Sequence, residues 1–246
     1  MIKIKTASEI DGIRKSCKLL KKMSDMIRKH ITEGRKTSDL AALAEEFIYS
    51  NQAKPAFTPE GFPSCICVSV NDEVVHGIPG DYVIQHGDLV SVDMGLILSG
   101  YYSDMAVSAV AGNASSEAQN LMDVTEQSLR KGIEQFKEGN RLGDISHAIA
   151  SFAEKNGFSV VRQFTGHGIG RELHEEPQIL NYGRPGTGPE LKNGMVFAIE
   201  PMINAGNWEV KIDDNGWTAR TSDGSLSAHF EHTVALFDGE PEVLTS

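Results

Sequence analysis

The sequence has few cysteines, no excess of positive charge and no long apolar run. Its three cysteines cannot all pair, and their spacing is not that of a zinc ribbon. The 23 basic residues are outnumbered by 34 acidic ones, and the net charge of −11 repels nucleic acid at long range. No apolar stretch approaches the roughly 18 residues that cross a bilayer. We therefore expect neither specific DNA nor a membrane as a partner.

The first residues are charged where a secretory signal peptide would be apolar, so we expect a cytoplasmic protein. A chain of 246 residues is long for one domain but too short for two large ones, which predicts a single domain over residues 1–246. Cys65 and Cys67 lie in SCICVSV, where strand alternation predicts two buried structural cysteines on one face.

An internal repeat organises the chain. The segment from Ile31 to Phe47 aligns with that from Phe136 to Phe152, and each copy ends one amphipathic helix at Glu-Gly and begins another after a polar turn. Periodicity predicts helices over about 8–31, 37–50, 116–136 and 144–156. Predicted strands follow the first pair, SCICVSV, DLVSVDMGLIL and YYSDMAVSAV, and the second pair, FSVVRQF, GMVFAIEPMI and HFEHTVALF. These patterns predict an α+β fold with pseudo-twofold halves, about 5–112 and 113–240, and a curved antiparallel sheet backed by helices. A coincidental repeat is the alternative.

Four carboxylates interrupt apolar segments that periodicity predicts to be strands. They are Asp93 in LVSVDMGLIL, Asp104 in YYSDMAV, Glu200 in MVFAIEPMI and Glu231 in AHFEHTVAL. A buried carboxylate loses its hydration unless a cation or several donors replace the water. Each acid alone has an alternative explanation as a cap, a salt-bridge partner or a solvated strand end, but together they favour a metal site.

Odd and even residue numbers across the predicted hairpin indicate whether Asp93 and Asp104 lie on the same face of the sheet. A two-residue turn at Leu98-Ser99 or Ser99-Gly100 places an even-numbered residue opposite Asp93, so Asp104 lies on the same face. Two carboxylates that close together repel each other, and bound hard cations would relieve the repulsion.

The glycine-rich stretch FTGHGIGRELHEEP supplies a nitrogen ligand for such cations. Glycines on both sides of His167 allow close approach of the backbone, and His174 follows seven residues later. The spacing of these glycines is not that of a dinucleotide-binding loop. We interpret the remaining histidines as surface or structural residues, His76 excepted: His30, His86, His147, His229 and His232.

Five segments in one order resemble the type I methionine aminopeptidases, in their short bacterial form, over residues 5–240: VSVNDEVVHGIPG, DMGLILSGYYSD, TGHGIGRELHEEP, GMVFAIEPMINAG and HFEHTV. The resemblance implies a pita-bread fold and removal of an amino-terminal methionine when the next residue is small. It also implies two divalent metal ions (cobalt, manganese, iron or zinc), which activate the attacking water. The metal ligands would be Asp93, Asp104, His167, Glu200 and Glu231.

The same resemblance implies roles for other residues. Glu200 would also act as the general base, His174 would hydrogen-bond the carbonyl oxygen as it gains charge, and His76 would contact the nitrogen of the scissile peptide. The residues expected to line the methionine pocket are Phe62, Cys67, Leu173 and Trp217. Pro59 and Leu173 stand where the family often has aromatic residues, so the selectivity for methionine is less firmly predicted than the hydrolysis.

Other functions remain open at the level of sequence. A proline-directed aminopeptidase of the same fold would usually carry an additional amino-terminal domain, for which 246 residues leave little room. A non-catalytic relative would usually have lost metal ligands, whereas all five are present. The expected partners are the amino-terminal peptides of nascent proteins and, transiently, the ribosome, and we expect a monomer.

Overall fold

The computed structural model describes residues 1–246 and contains four long helices. Their bounds are α1 (Ala7–Lys29), α2 (Thr37–Ser50), α3 (Ser116–Glu134) and α4 (Leu142–Lys155). Thr6 and Glu9 form a capping box at the start of α1, which satisfies amide groups that the first turn leaves without partners. The four predicted helices are confirmed, with bounds that differ from the predicted ones by at most two residues. None of the helices has the length and apolar composition to span a membrane.

Fifteen strands surround these helices, and every ladder between them is antiparallel. The first five are β1 (Lys54–Pro55), β2 (Ile66–Val70), β3 (Glu73–Val75), β4 (Leu89–Leu98) and β5 (Tyr101–Val110). The next five are β6 (Ser159–Val160), β7 (Gly166–Gly168), β8 (Glu175–Ile179), β9 (Val196–Ile199) and β10 (Met202–Asn204). The last five are β11 (Val210–Ile212), β12 (Ala219–Thr221), β13 (Ser227–His229), β14 (His232–Phe237) and β15 (Glu240–Val243).

Hydrogen bonds divide the strands into four sheets. In the first sheet, β4 is central: β5 pairs along one edge, and β2 and β1 pair with the other. A five-stranded sheet has the order β15-β14-β9-β7-β8. Two three-stranded sheets, β13-β10-β6 and β11-β12-β3, complete the structure. The strand content is therefore distributed over several short ladders rather than one continuous ladder.

The internal repeat is visible in the positions of the elements. α2 and α4 begin 105 residues apart, at Thr37 and Leu142, and the short strands that follow begin 105 residues apart, at Lys54 and Ser159. An isolated β-bridge precedes each helix, at Lys36 and at its counterpart 105 residues later. Such agreement between separate elements is not expected from a coincidental repeat.

Three apolar clusters form the main core. One of 19 buried residues packs α1 and α2 against the first sheet, and one of 21 packs α3 and α4 against strands of the second half. A third cluster of 12 residues includes residues from both halves, among them Ile13, Phe62, Leu173 and Ala235. The third cluster therefore fixes the two halves against each other.

Three details of the predicted strands are wrong. GMVFAIEPMI is broken between β9 and β10 at Glu200 and Pro201, because proline has no amide hydrogen for the ladder. HFEHTVALF is broken between β13 and β14 at Phe230 and Glu231, where the chain leaves one sheet for another. Of FSVVRQF, only Ser159–Val160 is a strand.

The two cysteines of SCICVSV do not share a face. Cys65 precedes β2, packs in the first-half cluster and donates its thiol to the carbonyl oxygen of Ala41 at 3.4 Å. Cys67 packs in the third cluster. Alternation fails because the strand begins only at Ile66, although both thiols are buried as predicted.

Candidate metal centre and active site

A cavity of about 720 Å³ opens between the two halves. The cavity is lined by all eleven residues that the sequence predicts to belong to the site. They are Phe62, Cys67, His76, Asp93, Asp104, His167, Leu173, His174, Glu200, Trp217 and Glu231. Carboxylates and histidines contributed by both halves thus share one cleft with apolar side chains.

The β4–β5 hairpin presents the first two acids. Ser99 and Gly100 form the turn, Asp93 pairs with Ala106, and Asp104 pairs with Gly95, one diagonal step away on the same face. The parity prediction is confirmed. Thr233 holds the backbone of Asp104 by accepting from its amide at 3.2 Å and donating to its carbonyl at 2.8 Å.

His167 reaches the same point from β7. A Cβ on Gly166 would collide with the carbonyl oxygen of Ala198, and one on Gly168 would collide with that of Glu176. The two glycines therefore allow β7 to lie tightly between its neighbours. Nε2 of His167 lies 3.6 Å from Oδ2 of Asp104 and 3.5 Å from Oε1 of Glu200.

The last two acids lie at the breaks between strands. Glu200 follows β9, and its carbonyl accepts a hydrogen bond from the side-chain amide of Asn181 at 3.0 Å. Glu231 precedes β14, and its amide donates to the carbonyl of Ala106 at 3.0 Å. Both residues lie outside the strand ladders, and their carboxylates line the cleft. Their backbone groups nevertheless keep hydrogen-bond partners.

The charges in this cluster are not compensated by protein groups. Burial raises the pKa of Asp104 to about 8 and, with repulsion between the acids, raises the pKa values of Asp93, Glu200 and Glu231 well above normal. One oxygen each of Asp93, Asp104 and Glu231 is buried without a hydrogen-bond partner. Such orphaned oxygens are rare in proteins and suit a cation.

Three of these residues already have the spacing of a metal site. Single ligand atoms of Asp104, His167 and Glu231 lie within 4.8 Å of one another. Burial lowers the pKa of His167 to about 4, which keeps its imidazole neutral, the form that binds metals. The donor set of hard carboxylate oxygens and one imidazole fits a divalent cation.

Two further histidines border the acid cluster. The ring of His174 packs edge-on against that of His167 with centroids 4.5 Å apart, and the ring of His76 packs in the same way against Phe164 at 5.3 Å. His76 has a φ of 58°, a left-handed conformation uncommon outside glycine. Burial lowers the pKa of both His76 and His174 to about 4, so both are neutral at pH 7.

An apolar wall lies beside the charged groups. The rings of Phe62 and Trp217 meet edge to face with centroids 5.3 Å apart, and Leu173 and Cys67 are buried in the same cluster. The wall has aliphatic, aromatic and sulfur surface suited to an unbranched apolar side chain.

Phe164 and His229 are two residues at the site that sequence reasoning did not propose. Phe164 lines the cleft and packs against His76. His229, interpreted as a surface or structural residue, is only 1% exposed, and its Nε2 lies 3.6 Å from Oε2 of Glu200. Its position two residues before Glu231 was an available signal, because alternate residues of an extended segment share a face.

Comparisons with known proteins agree with this geometry. The model of metallopeptidase family M24 matches residues 11–237. The chain belongs to this family. As an M24 metallopeptidase it is a metal-dependent hydrolase. A methionine aminopeptidase of Clostridium perfringens is 50% identical over 246 residues, covering 100% of this chain and 99% of that relative.

Solved structures extend the comparison to the fold. The crystal structure of methionine aminopeptidase from Thermotoga maritima has a TM-score of 0.98 and 46% identity, covering 100% of both chains. The prolidase from Pyrococcus furiosus has a TM-score of 0.81 and 26% identity, covering 99% of this chain and 65% of that one. This M24 protein therefore has the α+β pita-bread fold that the sequence predicted.

Proposed function

We propose that this M24 protein is a methionine aminopeptidase that hydrolyses the amino-terminal methionine from nascent proteins and peptides when the next residue is small. The supporting observation is the cleft itself, in which four acids and His167 adjoin an apolar wall of Phe62, Leu173 and Trp217. The full-length 50% identity to a methionine aminopeptidase supports the same substrate.

Two divalent cations would be held by Asp93, Asp104, His167, Glu200 and Glu231. The native ions would be cobalt, manganese, iron or zinc, all of which accept this donor set. Bound divalent cations supply Lewis acidity and lower the pKa of water at the site. The buried oxygens of Asp93, Asp104 and Glu231 that lack hydrogen-bond partners are the feature of this chain that fits the binding of such cations.

Residues of the same cleft would bind and orient the substrate, and one of the proposed ligands would also accept a proton. The net charge of −11 of the whole chain favours the approach of the free α-amino group, and the wall around Phe62 and Trp217 receives the methionine side chain. Neutral His174 would donate to the carbonyl oxygen as it gains negative charge, and His76 would contact the nitrogen of the scissile peptide. Glu200 would accept the proton of the attacking water as general base.

We also propose that residues 1–246 act as one catalytic domain with halves at about 5–112 and 113–240. In support, the acids on β4 and β5 belong to the first half, while His167, Glu200 and Glu231 belong to the second. Neither half alone would hold the ligand set. The protein would act as a monomer in the cytoplasm, with transient access to nascent chains at the ribosome.

A proline-directed peptidase is the second candidate, because the prolidase fold covers 99% of this chain. Its identity of 26% is about half that to the methionine aminopeptidase, which makes it the weaker proposal.

A single assay separates the candidates. The full chain, loaded in turn with manganese, iron, cobalt or zinc, is incubated with Met-X-Ser peptides in which X runs from Ala to Phe, and with Ala-Pro and Met-Pro peptides. We expect release of methionine with a preference for small X of at least about tenfold. Cleavage only before proline would support the second candidate. Tightly bound metal without turnover on any peptide would indicate a non-catalytic relative.

A further inference from the structure

His229 is the last residue of β13 and lies beside Glu200. Its amide donates to the hydroxyl oxygen of Ser108 at 3.1 Å, and its carbonyl accepts from the same hydroxyl group at 2.8 Å. On the other side it pairs with Met202 of β10. With the backbone fixed and the side chain only 1% exposed, the imidazole has little freedom to move.

The imidazole nitrogen Nε2 of His229 is buried and has no hydrogen-bond partner. A buried polar atom without a partner is unfavourable, so it calls for an explanation. The side chain of Glu200 provides one, because its Oε2 lies 3.6 Å from this nitrogen. This separation is slightly longer than that of a hydrogen bond.

The other oxygen of Glu200 faces a different neighbour. Oε1 lies 3.5 Å from Nε2 of His167, which is another of the proposed metal ligands. A carboxylate turns easily about its last bond, since that torsion has a broad energy profile. Without a second contact, the two oxygens of Glu200 would exchange places.

We propose that His229 is a positioning residue that donates a hydrogen bond from Nε2 to Oε2 of Glu200 and so keeps Oε1 directed toward His167. The imidazole can donate from Nε2 in its charged form and in the corresponding neutral tautomer. Partners of this kind, one contact removed from a metal, orient ligands and fix their basicity. The inference rests on the proposed role of Glu200 as ligand and base.

Three variants of the full chain test the role of His229. His229→Gln keeps an amide donor at about the same distance from the backbone, His229→Asn keeps the polarity without the reach, and His229→Leu removes the donor. The control is His232→Gln, because His232 lies three residues away with its Nδ1 bonded to Thr245 at 2.8 Å, outside the cleft.

The readouts are manganese affinity by calorimetry, and kcat and KM on Met-Ala-Ser with manganese saturating. We expect His229→Asn and His229→Leu to lose about 10- to 100-fold in metal affinity or kcat, with KM changed less than about threefold. His229→Gln should recover to within about threefold, and His232→Gln should match the wild type. Thermal denaturation identifies any variant that fails to fold. If His229→Leu does not fold, the comparison of His229→Asn with His229→Gln tests the role of the donor.

Two results would overturn the proposal. Wild-type affinity and kcat in both His229→Asn and His229→Leu would show that the contact does nothing. Loss of one whole manganese equivalent in every His229 variant, Gln included, would make His229 a ligand instead. If the wild type does not cleave Met-Ala-Ser but the affinity pattern holds, the proposed function fails while the positioning role stands.

Discussion

At the scale of single residues, the carboxyl groups of the cleft are the most costly feature of the molecule. The oxygens of Asp93, Asp104 and Glu231 that lack partners would be unfavourable as free anions, and burial therefore raises their pKa values. Buried carboxyl groups of this kind are typical of binding and catalytic sites, where strongly perturbed pKa values cluster. The histidines beside them are neutral, so no protein cation offsets the charge.

Glu200→Gln separates ligand strength from proton transfer. The amide can still offer an oxygen to a cation but cannot accept the proton of water, so we expect kcat to fall by about 10²- to 10⁴-fold. Metal content by elemental analysis and kcat on Met-Ala-Ser are the measurements. Glu176→Gln, an exposed residue lining the same cavity, is the control and should keep near-normal kcat. Near-normal kcat in Glu200→Gln with metal bound would refute its role as base.

His174→Ala tests donation to the developing oxyanion. His174 touches His167 by ring packing but is exposed toward the cleft, so its loss should leave the ligand cluster intact. We expect kcat to drop by about 100-fold while manganese affinity changes by less than about threefold. Calorimetry and steady-state kinetics measure the two effects. A drop in metal affinity alone would show that His174 supports His167 rather than the substrate.

At the scale of secondary-structure elements, β7 is the tightest point of the site. It is three residues long and pairs with β8 on one edge and β9 on the other, with His167 opposite Ala198. The flanking glycines leave no room for a side chain on the backbone. The position of the only nitrogen in the proposed ligand set therefore depends on two residues that have no side chains.

Gly168→Ala should displace β7. The added Cβ would collide with the carbonyl of Glu176, so we expect a loss of about 1–3 kcal/mol in the free energy of unfolding and a weaker affinity for manganese. Gly80→Ala is the matched control, because its nearest neighbour would be the carbonyl oxygen of Ile78 at 3.9 Å. Urea denaturation and calorimetry compare the two. Equal behaviour of both variants would contradict the tight packing of β7.

At the scale of the whole molecule, the fold brings together acids that the chain keeps apart. Asp93 and Asp104 come from the sheet of the first half, and Glu200 and Glu231 from segments that leave strands of the second half. Apolar residues of both halves form the third core cluster next to the cleft. The apolar contacts of this cluster must therefore stabilise the molecule against repulsion between the acids.

The metal-free protein should lose stability as the pH rises from 7 to 8. Burial raises the pKa of Asp104 from its usual 3.8 to about 8, so between these values the folded chain holds a proton that the unfolded chain has released. This proton makes the free energy of unfolding decrease with increasing pH. Below pH 6.5 the buried histidines, whose pKa values burial lowers from 6.5 to about 4, act in the opposite direction, so the effect of the acid is isolated above that pH. Urea denaturation of chelator-treated protein at pH 7 and pH 8 measures the slope.

The control for the pH effect is Asp104→Asn, which cannot ionise and should show a shallower slope. Manganese added at pH 8 should restore the stability of the wild type, by about 2.7 kcal/mol when its concentration is 100 times the dissociation constant. A slope in Asp104→Asn equal to that of the wild type would show that the pH effect arises elsewhere.

Sequence patterns predicted most of the fold because they are local. The helical spacing of Ile10, Ile13 and Leu20 marks the buried face of α1, and the turn at Ser99-Gly100 sets the face of Asp104 by parity. The strand predictions failed where the fold overrides local pattern. Glu200 and Glu231 lie in apolar runs that periodicity cannot distinguish from continuous strands, yet both runs break at the sheet boundaries.

The sequence by itself determined the helices, the repeat of 105 residues and the identity of the acids and histidines in the cleft, because period, parity and residue chemistry are properties of short segments. Only the tertiary structure decided which oxygen of Glu200 faces His167 and which faces His229. It also separated Cys65 from Cys67 and closed β7 around its glycines. These relations join residues distant in the chain, and packing between elements rather than local preference sets their distances.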